Sequence, residues 1–359
     1  MQYRTKKIIL SKLRRMQRWE FWPMPVFYIP IVIYIIFLAI RFRGLSFLAV
    51  NPGLPMSGLI GERKGDILSQ LKGSEFLAQF TKIDSDINLV DKMNIAKKFM
   101  QDHFLSFPIV LKPDFGQRGE GVEVIRDQTS MQSYLENSSG DTLIQEHIEG
   151  DEFGVFYMCF PGEDTRKIFS ITEKTFPILI GDGVSNIETL LLENDRTHYM
   201  AEYLLDIHAE RLENVLEVNE KFKVVEIGSH CRGSVFLDAN HLISQDLLES
   251  MSSISKQIEG FYFGRYDIRA KDSQALIEGR DYKVLEVNGV TSESTNVYDP
   301  KNSVFTAYKI LFSQWRAAFE IGNQNINRGT ARVTILDLLS HVKSVYGLPF
   351  QHRKTLSST

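Results

Sequence analysis

The chain has 359 residues, 43% of them hydrophobic, with 41 lysines and arginines against 45 aspartates and glutamates. That length suits two or three domains around a substantial core. The net charge of -4 excludes a protein that binds polyanions over its whole surface, so no nucleic-acid partner is expected.

The N-terminus departs from this balance. Arg4, Lys6, Lys7, Lys12, Arg14, Arg15 and Arg18 fall in the first eighteen residues with no acid among them. Residues 21–40 are then almost wholly apolar, close to the ~20 residues that cross a bilayer as a helix, and Arg41 and Arg43 follow. There is no small-residue cleavage site, so the segment is expected to stay on the mature chain. Pro23, Pro25 and Pro30 disfavour a straight helix, and Pro30 predicts a kink. Trp19, Trp22 and Tyr28 suit a membrane interface. Three arrangements are open at this point: a segment lying along or dipping into one leaflet, a full span, and the core helix of a soluble protein.

Residues 44–65, rich in Gly and Pro, read as a short strand followed by loops, with a turn at Asn51-Pro52-Gly53. Gly58 and Gly61, with Ser57, form either a loop near phosphates or a tight connection. Helical spacing follows at 67–80 and 91–103. Residues 107–112 and 121–125 read as strands of a hairpin across a glycine-rich turn. Next come a short helix at 131–136, a strand at 142–147, an antiparallel pair at 153–160 and 166–173, and a helix at 187–207. Strands at 224–227, 236–238, 266–270 and 282–288 are interleaved with helices at 247–259 and 304–319, and a last helix covers 335–346. Strands and helices mix without strict alternation, so the class is α+β or mixed α/β. Cys159 and Cys231 are too few for a disulfide framework and form no zinc pattern with a histidine partner, so both read as small buried hydrophobes in a reducing compartment.

Three groups of residues carry chemistry. Asp267 lies in Gly264-Arg265-Tyr266-Asp267, and the next strand presents Glu286 and Asn288 on one face, because alternate strand residues point the same way. Three oxygen donors beside Arg265 suit a hard divalent cation that holds a polyphosphate. Lys112 ends a strand before Gly116, Gly119 and Gly121, whose backbone N–H groups can approach phosphates, with Arg118 as a further donor. An ordinary charged hairpin fits the same residues. Around residues 143–153, backbone near Glu146, His147 and Ile148 can meet a base edge, and Glu152 can bind ribose hydroxyls. A solvated acid and a packed histidine are the plainer alternatives.

From about residue 107 to 312 the order of these motifs resembles the ATP-grasp superfamily. Within it the chain looks most like carboxylate–amine ligases of the cyanophycin synthetase and D-alanine–D-alanine ligase type. Residues 171–190, with a Gly-Asp-Gly turn, and 228–244, a glycine-rich loop and strand, are similar to segments of the cyanophycin group. The resemblance implies an α+β ATP-grasp fold in which two lobes clasp ATP. The implied division is 1–45 (a hydrophobic membrane-associating helix with its basic flank), 46–106 (a short, atypical N-terminal lobe), 107–322 (the catalytic domain) and 323–359 (a C-terminal helix and polar tail).

It also implies roles. Lys112 resembles the phosphate lysine, Glu146 and Ile148 the adenine hinge, and Glu152 the ribose acid. Lys174 takes the place of a basic residue near the phosphates. Asp267, Glu286 and Asn288 resemble ligands of Mg²⁺ (or Mn²⁺), and Arg265 the arginine that steadies the transferring phosphoryl group. Arg232 and Gly233 face the acyl phosphate or the acceptor. The family's earlier lysine has no clear counterpart, with Lys82 or Lys92 as candidates, and the proline usual after Glu-x-Asn is missing before Glu293 and Ser294.

The implied reaction joins a carboxylate to an amine (or a thiol) through an acyl phosphate, with release of ADP and phosphate. A small-molecule kinase on the same scaffold and a membrane-tethered nucleotide sensor are the alternatives. ATP use selects the leaflet-bound arrangement. The positive-inside rule keeps the basic N-terminus cytoplasmic, and a full span would export the active site. The expected location is therefore the cytoplasmic face of a membrane.

Overall fold

A computed structural model describes residues 2–116, 119–162, 165–226, 228 and 233–346. The chain opens with α1 (Gln2–Gln17) and α2 (Met24–Arg41), then 3₁₀ turns at Ser46–Ala49 and Pro55–Gly58. A first lobe comprises α3 (Lys64–Gln70), β1 (Phe80–Ile83), α4 (Leu89–Asp102), β2 (Ile109–Pro113), β3 (Glu123–Ile125), α5 (Gln128–Asn137) and β4 (Thr142–Glu146). There follow β5 (Asp151–Phe160), β6 (Thr165–Thr175), β7 (Ile178–Ile180), α6 (Ile187–Glu193), α7 (Ala201–Ile207), β8 (Lys221–Lys223) and β9 (Val235–Asp238). The chain ends with α8 (Gln245–Ser255), β10 (Phe263–Ala270), α9 (Ser273–Ile277), β11 (Tyr282–Asn288), α10 (Val304–Asn327) and α11 (Ile335–Tyr346).

Two antiparallel sheets organise the site. The smaller has the order β1-β4-β2-β3, and the expected hairpin is its β2–β3 pair. Ile109 and Leu111 of β2 point into a core with Met93, Phe99, Met131 and Leu135 of α4 and α5. Strand alternation therefore turns Val110 and Lys112 to the opposite face. Asn88 and Asp127 cap the two helices through side-chain bonds to the N–H groups of Asp91 and Ser130.

The larger sheet has the order β11-β10-β5-β6-β9. On β5, Phe153, Val155 and Tyr157 pack with Tyr266, Ile268, Met251 and Leu276 on one face. Phe156 and Met158 join Phe263 and the α10 residues Ala318, Phe319 and Ile321 on the other. Helix α10 covers only part of that second face. Past its edge the same alternation continues as Glu152 and Gly154 on β5 beside Asp267 and Arg269 on β10. The site is thus the uncovered end of a face whose other end is apolar core.

Several sequence expectations shift in the structure. Helix α3 stops at Gln70 rather than near 80, because Gly73 takes a left-handed φ of 90° and Phe80 starts a strand. The helix expected at 187–207 is broken into α6 and α7, where the Asn194 side chain accepts the N–H groups of Arg196 and Thr197. The strand expected at 224–227 is instead β8, which pairs with β7. The strand expected early in 44–65 is replaced by 3₁₀ turns. Asn51 there is buried, accepting from the N–H groups of Tyr262 and Phe263 and donating to the Phe263 carbonyl.

Among the described residues one helix, α2, is long and apolar enough to cross a membrane. Pro23 and Pro25 lie at its start, where a missing N–H costs nothing, and Pro30 lies inside it. Phe27, Ile31 and Leu38 are buried, and α2 packs along α10, while Ile33, Ile36 and Ile40 are exposed. The basic flank is largely engaged within the protein. Lys12 pairs with Glu202 at 2.7 Å, and Arg4 and Lys7 lie 3.7 and 3.9 Å from Glu188 and Glu193. Cys159 is buried in the large-sheet core, as expected of a small hydrophobe, and Cys231 lies outside the described residues.

Candidate active site

The two sheets enclose a cleft of about 1680 Å³. Lys112, Gly116, Gly119, Gly121, Glu146, His147, Ile148, Glu152, Lys174, Arg265, Asp267, Glu286 and Asn288 all line it. Arg118 and Arg232 lie outside the described residues.

The floor follows from strand register. In the β10–β11 pair Arg265 stands opposite Asn288, and Asp267 opposite Glu286. A bulge after Asp267 shifts the register there, a local twist that re-aims side chains. Arg265 brackets Asp267, with Nε at 2.8 Å and Nη2 at 3.3 Å from its two oxygens. Lys174 Nζ lies 3.2 Å from Asp267 and donates to Glu152 Oε1 at 3.1 Å. Gly154 lies opposite Asp267, and a Cβ there would sit 3.1 Å from Arg265 Cδ, so this ion pair needs a residue without a side chain facing it.

Burial pushes the Asp267 carboxyl upward, but Arg265 and Lys174 outweigh it and hold the group at about 2. Burial also opposes the charge on Lys174, and Asp267 and Glu152 overcome it, raising its affinity for the proton.

The roof is Lys112. Its Nζ donates to Gln145 Oε1 at 2.8 Å and to the Leu285 carbonyl at 2.9 Å, so one side chain of the small sheet bonds the large one. Burial, helped by nearby Lys64, lowers the ammonium to about 8, against the pull of Glu286. Neither Lys82 nor Lys92 lines the cleft. Lys82 pairs with Asp84 at 2.7 Å, and Lys92 is buried on α4. Lys64 lines it instead, 3.8 Å from Glu286, and donates to the Gly116 carbonyl.

The hinge between the sheets carries the remaining predicted residues. Glu146 Oε2 accepts the Gln79 N–H at 3.1 Å, which ties β4 to the start of β1. Arg269 donates to the Ile148 carbonyl at 2.7 Å and to Glu152 Oε2 at 3.2 Å. Glu152 is therefore matched by Lys174 and Arg269, and a ribose would share its oxygens with two cations. Burial, and secondarily Arg269, lowers His147 below the usual imidazole value, which keeps the ring neutral near pH 7. Gly228 closes over this corner, where a Cβ would fall 1.9 Å from Glu152 Oε1.

Among the polar side chains of the cleft that sequence reasoning missed are Glu62, Lys64 and Arg269. The run Gly61-Glu62-Arg63-Lys64-Gly65, charged residues flanked by glycine, was the available signal for the first two. Arg269 stands two residues after Asp267 and shares its strand face. Burial, and then the Glu286 charge, pushes Glu62 up to about 8, and its Oε1 is buried with no partner.

A divalent cation fits this donor set. Among the described residues no three His, Cys, Asp or Glu side chains cluster tightly enough to hold a metal alone. Mg²⁺ is commonly held by one or two carboxylates with substrate phosphates completing its shell. Glu286 is half-exposed in the cleft and Glu62 offers an unpaired buried oxygen, while the Asn288 amide nitrogen, buried without a partner, is a hydrogen-bond donor that suits a phosphate oxygen and leaves only Oδ1 to face an ion. Asp267 joins them only by exchanging Arg265 or Lys174 for the ion.

Residues 69–156 match the family model of the RimK-like ATP-grasp domain. The ATP-grasp likeness is shown over that stretch, about a quarter of the chain. Among solved structures, D-alanine–D-alanine ligase from Bacillus anthracis is similar at 14% identity and TM-score 0.39, over 75% of this chain and 69% of that one. D-cycloserine synthetase DcsG aligns at 11% identity and TM-score 0.42, over 73% of each chain. The bifunctional glutathione synthetase from Pasteurella multocida aligns at 12% identity and TM-score 0.36, over 72% of this chain, which spans only 38% of that enzyme. Such distant likenesses say nothing about substrates. No curated protein matches the chain significantly.

Proposed function

We propose that this protein is an ATP-dependent carboxylate–amine ligase working at the cytoplasmic face of a membrane. The observation that carries the reading is the β10–β11 register, which sets Arg265, Asp267, Glu286 and Asn288 on one floor beneath the buried ammonium of Lys112. The cations of the cleft, Lys64, Lys112, Lys174 and Arg265, offset the charge of a bound triphosphate and hold it in line with a carboxylate. Mg²⁺, when bound, spreads the charge of the phosphates. The carboxylate takes the γ-phosphoryl group, giving an acyl phosphate and ADP, and the amine then displaces phosphate from the acyl carbon. On this reading the cleft-lining Gly116, Gly119 and Gly121 help to keep water from the acyl phosphate. No protein nucleophile is required.

Detergent-purified protein, offered pools of acids and amines, is expected to release ADP and phosphate only when both an acid and an amine are present. ADP without phosphate would instead identify a kinase, and binding without turnover a sensor.

The membrane reading rests on the outer face of α2, where Ile33, Ile36 and Ile40 are 62%, 55% and 75% exposed. The triple variant Ile33→Glu, Ile36→Glu, Ile40→Glu is expected to move the protein from the membrane fraction to the supernatant without changing its thermal stability. A variant that still sediments with membranes refutes the anchor.

A further inference from the structure

The floor of the cleft continues past Asn288 into a pocket that the nucleotide residues leave unexplained. Glu293 lies there, on the segment between β11 and α10. Its backbone carbonyl accepts Arg265 Nη1 at 3.0 Å, which fixes the residue to the ion pair of the floor. Its Oε2 accepts the Tyr298 hydroxyl at 2.9 Å. Its Oε1 is shielded from solvent and has no hydrogen-bond partner. A buried carboxylate oxygen left unpaired is costly unless something fills the position. The N-terminal segment reaches this corner through Tyr298, the partner of Glu293. Trp22, Met24 and Tyr28 line the same cleft, and Tyr298 stacks on Trp19 with ring centroids 5.8 Å apart.

We infer that Glu293 binds the amine acceptor, with its free oxygen receiving a primary ammonium group carried on an apolar or aromatic body. The inference deepens the ligase reading and rests on it. An ammonium supplies the donor that Oε1 lacks, and the charge that a buried carboxylate requires. The Trp22, Met24 and Tyr28 wall accepts the apolar remainder. Burial pushes the Glu293 carboxyl up to about 7, which matches it to taking a proton near neutrality. The ammonium gives one proton to Glu293, and the freed lone pair forms the C–N bond at the acyl carbon. The bond from that carbon to the phosphate oxygen breaks, its electron pair leaves with phosphate, and the second N–H proton passes to the departing phosphate. Asn288 and Arg265 border the same pocket, so the acyl group and the amine meet over the floor already described.

The test uses the full-length chain in detergent with two small probes, benzylammonium and its neutral counterpart benzyl alcohol. Binding is read by ligand-detected NMR, with AMPPNP and Mg²⁺ binding measured on the same samples. Wild type is expected to prefer the ammonium by about tenfold or more. Glu293→Gln removes that preference while AMPPNP still binds, and Glu293→Asp restores part of it. Tyr298→Phe, which removes the hydroxyl that favours the charged form of Glu293, lowers the preference and carries the test if Glu293→Gln does not fold. Equal binding of the two probes to wild type, or a preference that survives Glu293→Gln, overturns the acceptor site. Failure of wild type to bind AMPPNP is a separate result, and it removes the ATP-dependent reading itself.

Discussion

Asp267→Asn is expected to abolish turnover, by about a hundredfold to a thousandfold or more, while nucleotide binding weakens only modestly. The carboxylate sits between Arg265 and Lys174 with every contact at 3.3 Å or less. An amide at that position leaves both cations buried and facing each other across a neutral group. Breaking a buried pair in this way costs about 3–5 kcal/mol, so the variant should also melt earlier.

The pH dependence separates this from a general packing defect. The Asp267 carboxyl is held at about 2 in the folded protein, below the ordinary aspartate value of about 4. A depressed acid contributes stability that is present above about pH 4 and is lost as pH falls through about 2. The stability gap between wild type and Asp267→Asn should therefore close across that interval. Phosphate release, nucleotide titration and thermal unfolding between pH 2 and 7 check these results together. Unchanged turnover would remove Asp267 from the catalytic machinery.

The second large effect is expected at the N-terminus. Phe27→Ala should destabilise the protein by about 3–5 kcal/mol. Phe27 is 2% exposed, stacks on Tyr308 at 5.2 Å and on Trp19 at 5.3 Å, and packs among Ile31, Val297 and Leu311. A tether would tolerate the loss of one aromatic ring, but a core element does not. Removing residues 1–41 takes away Phe27, Ile31 and Leu38 at once and uncovers α10, so the truncated chain is expected to aggregate in detergent and in buffer alike. Sedimentation of the truncated chain would then report aggregation rather than attachment to a membrane, which is why the exposed-face variant is the better probe of anchoring. Chemical denaturation of Phe27→Ala measures the first effect. A midpoint equal to wild type would return α2 to the status of a detachable segment.

Much of the cleft was legible because strand chemistry is local. The period of two alone places Arg265 with Asp267 and Glu286 with Asn288, and the β10–β11 register then brings the pairs together. Lys112 at the end of its strand was legible for the same reason. Lys64 and Glu62 were not, because their place in the cleft depends on a loop anchored far away in sequence. Gly65 N–H donates to Asp114, and the Val290 N–H donates to the Ser57 carbonyl. Periodicity along one segment says nothing about such contacts. The expected helix over 187–207 failed for a different reason. Its apolar spacing is real, and Leu191, Leu192, Leu204 and Leu205 share one core, but the Asn194 turn lets two short helices present the same face. The basic N-terminal flank looked free for lipid because no acid lies near it in sequence. Its partners Glu188, Glu193 and Glu202 come from α6 and α7.

The space opposite Asp267 has a consequence for variation in this chain. An alanine at 154 would place its methyl 3.1 Å from the Arg265 stem, tight enough that the stem must give by a few tenths of an ångström. The two positions are therefore coupled. The cost of that alanine should shrink with a shorter residue at 265, at the expense of the guanidinium that brackets Asp267. Directed libraries that randomise 154 and 265 together should recover larger residues at 154 more often than libraries that randomise 154 alone.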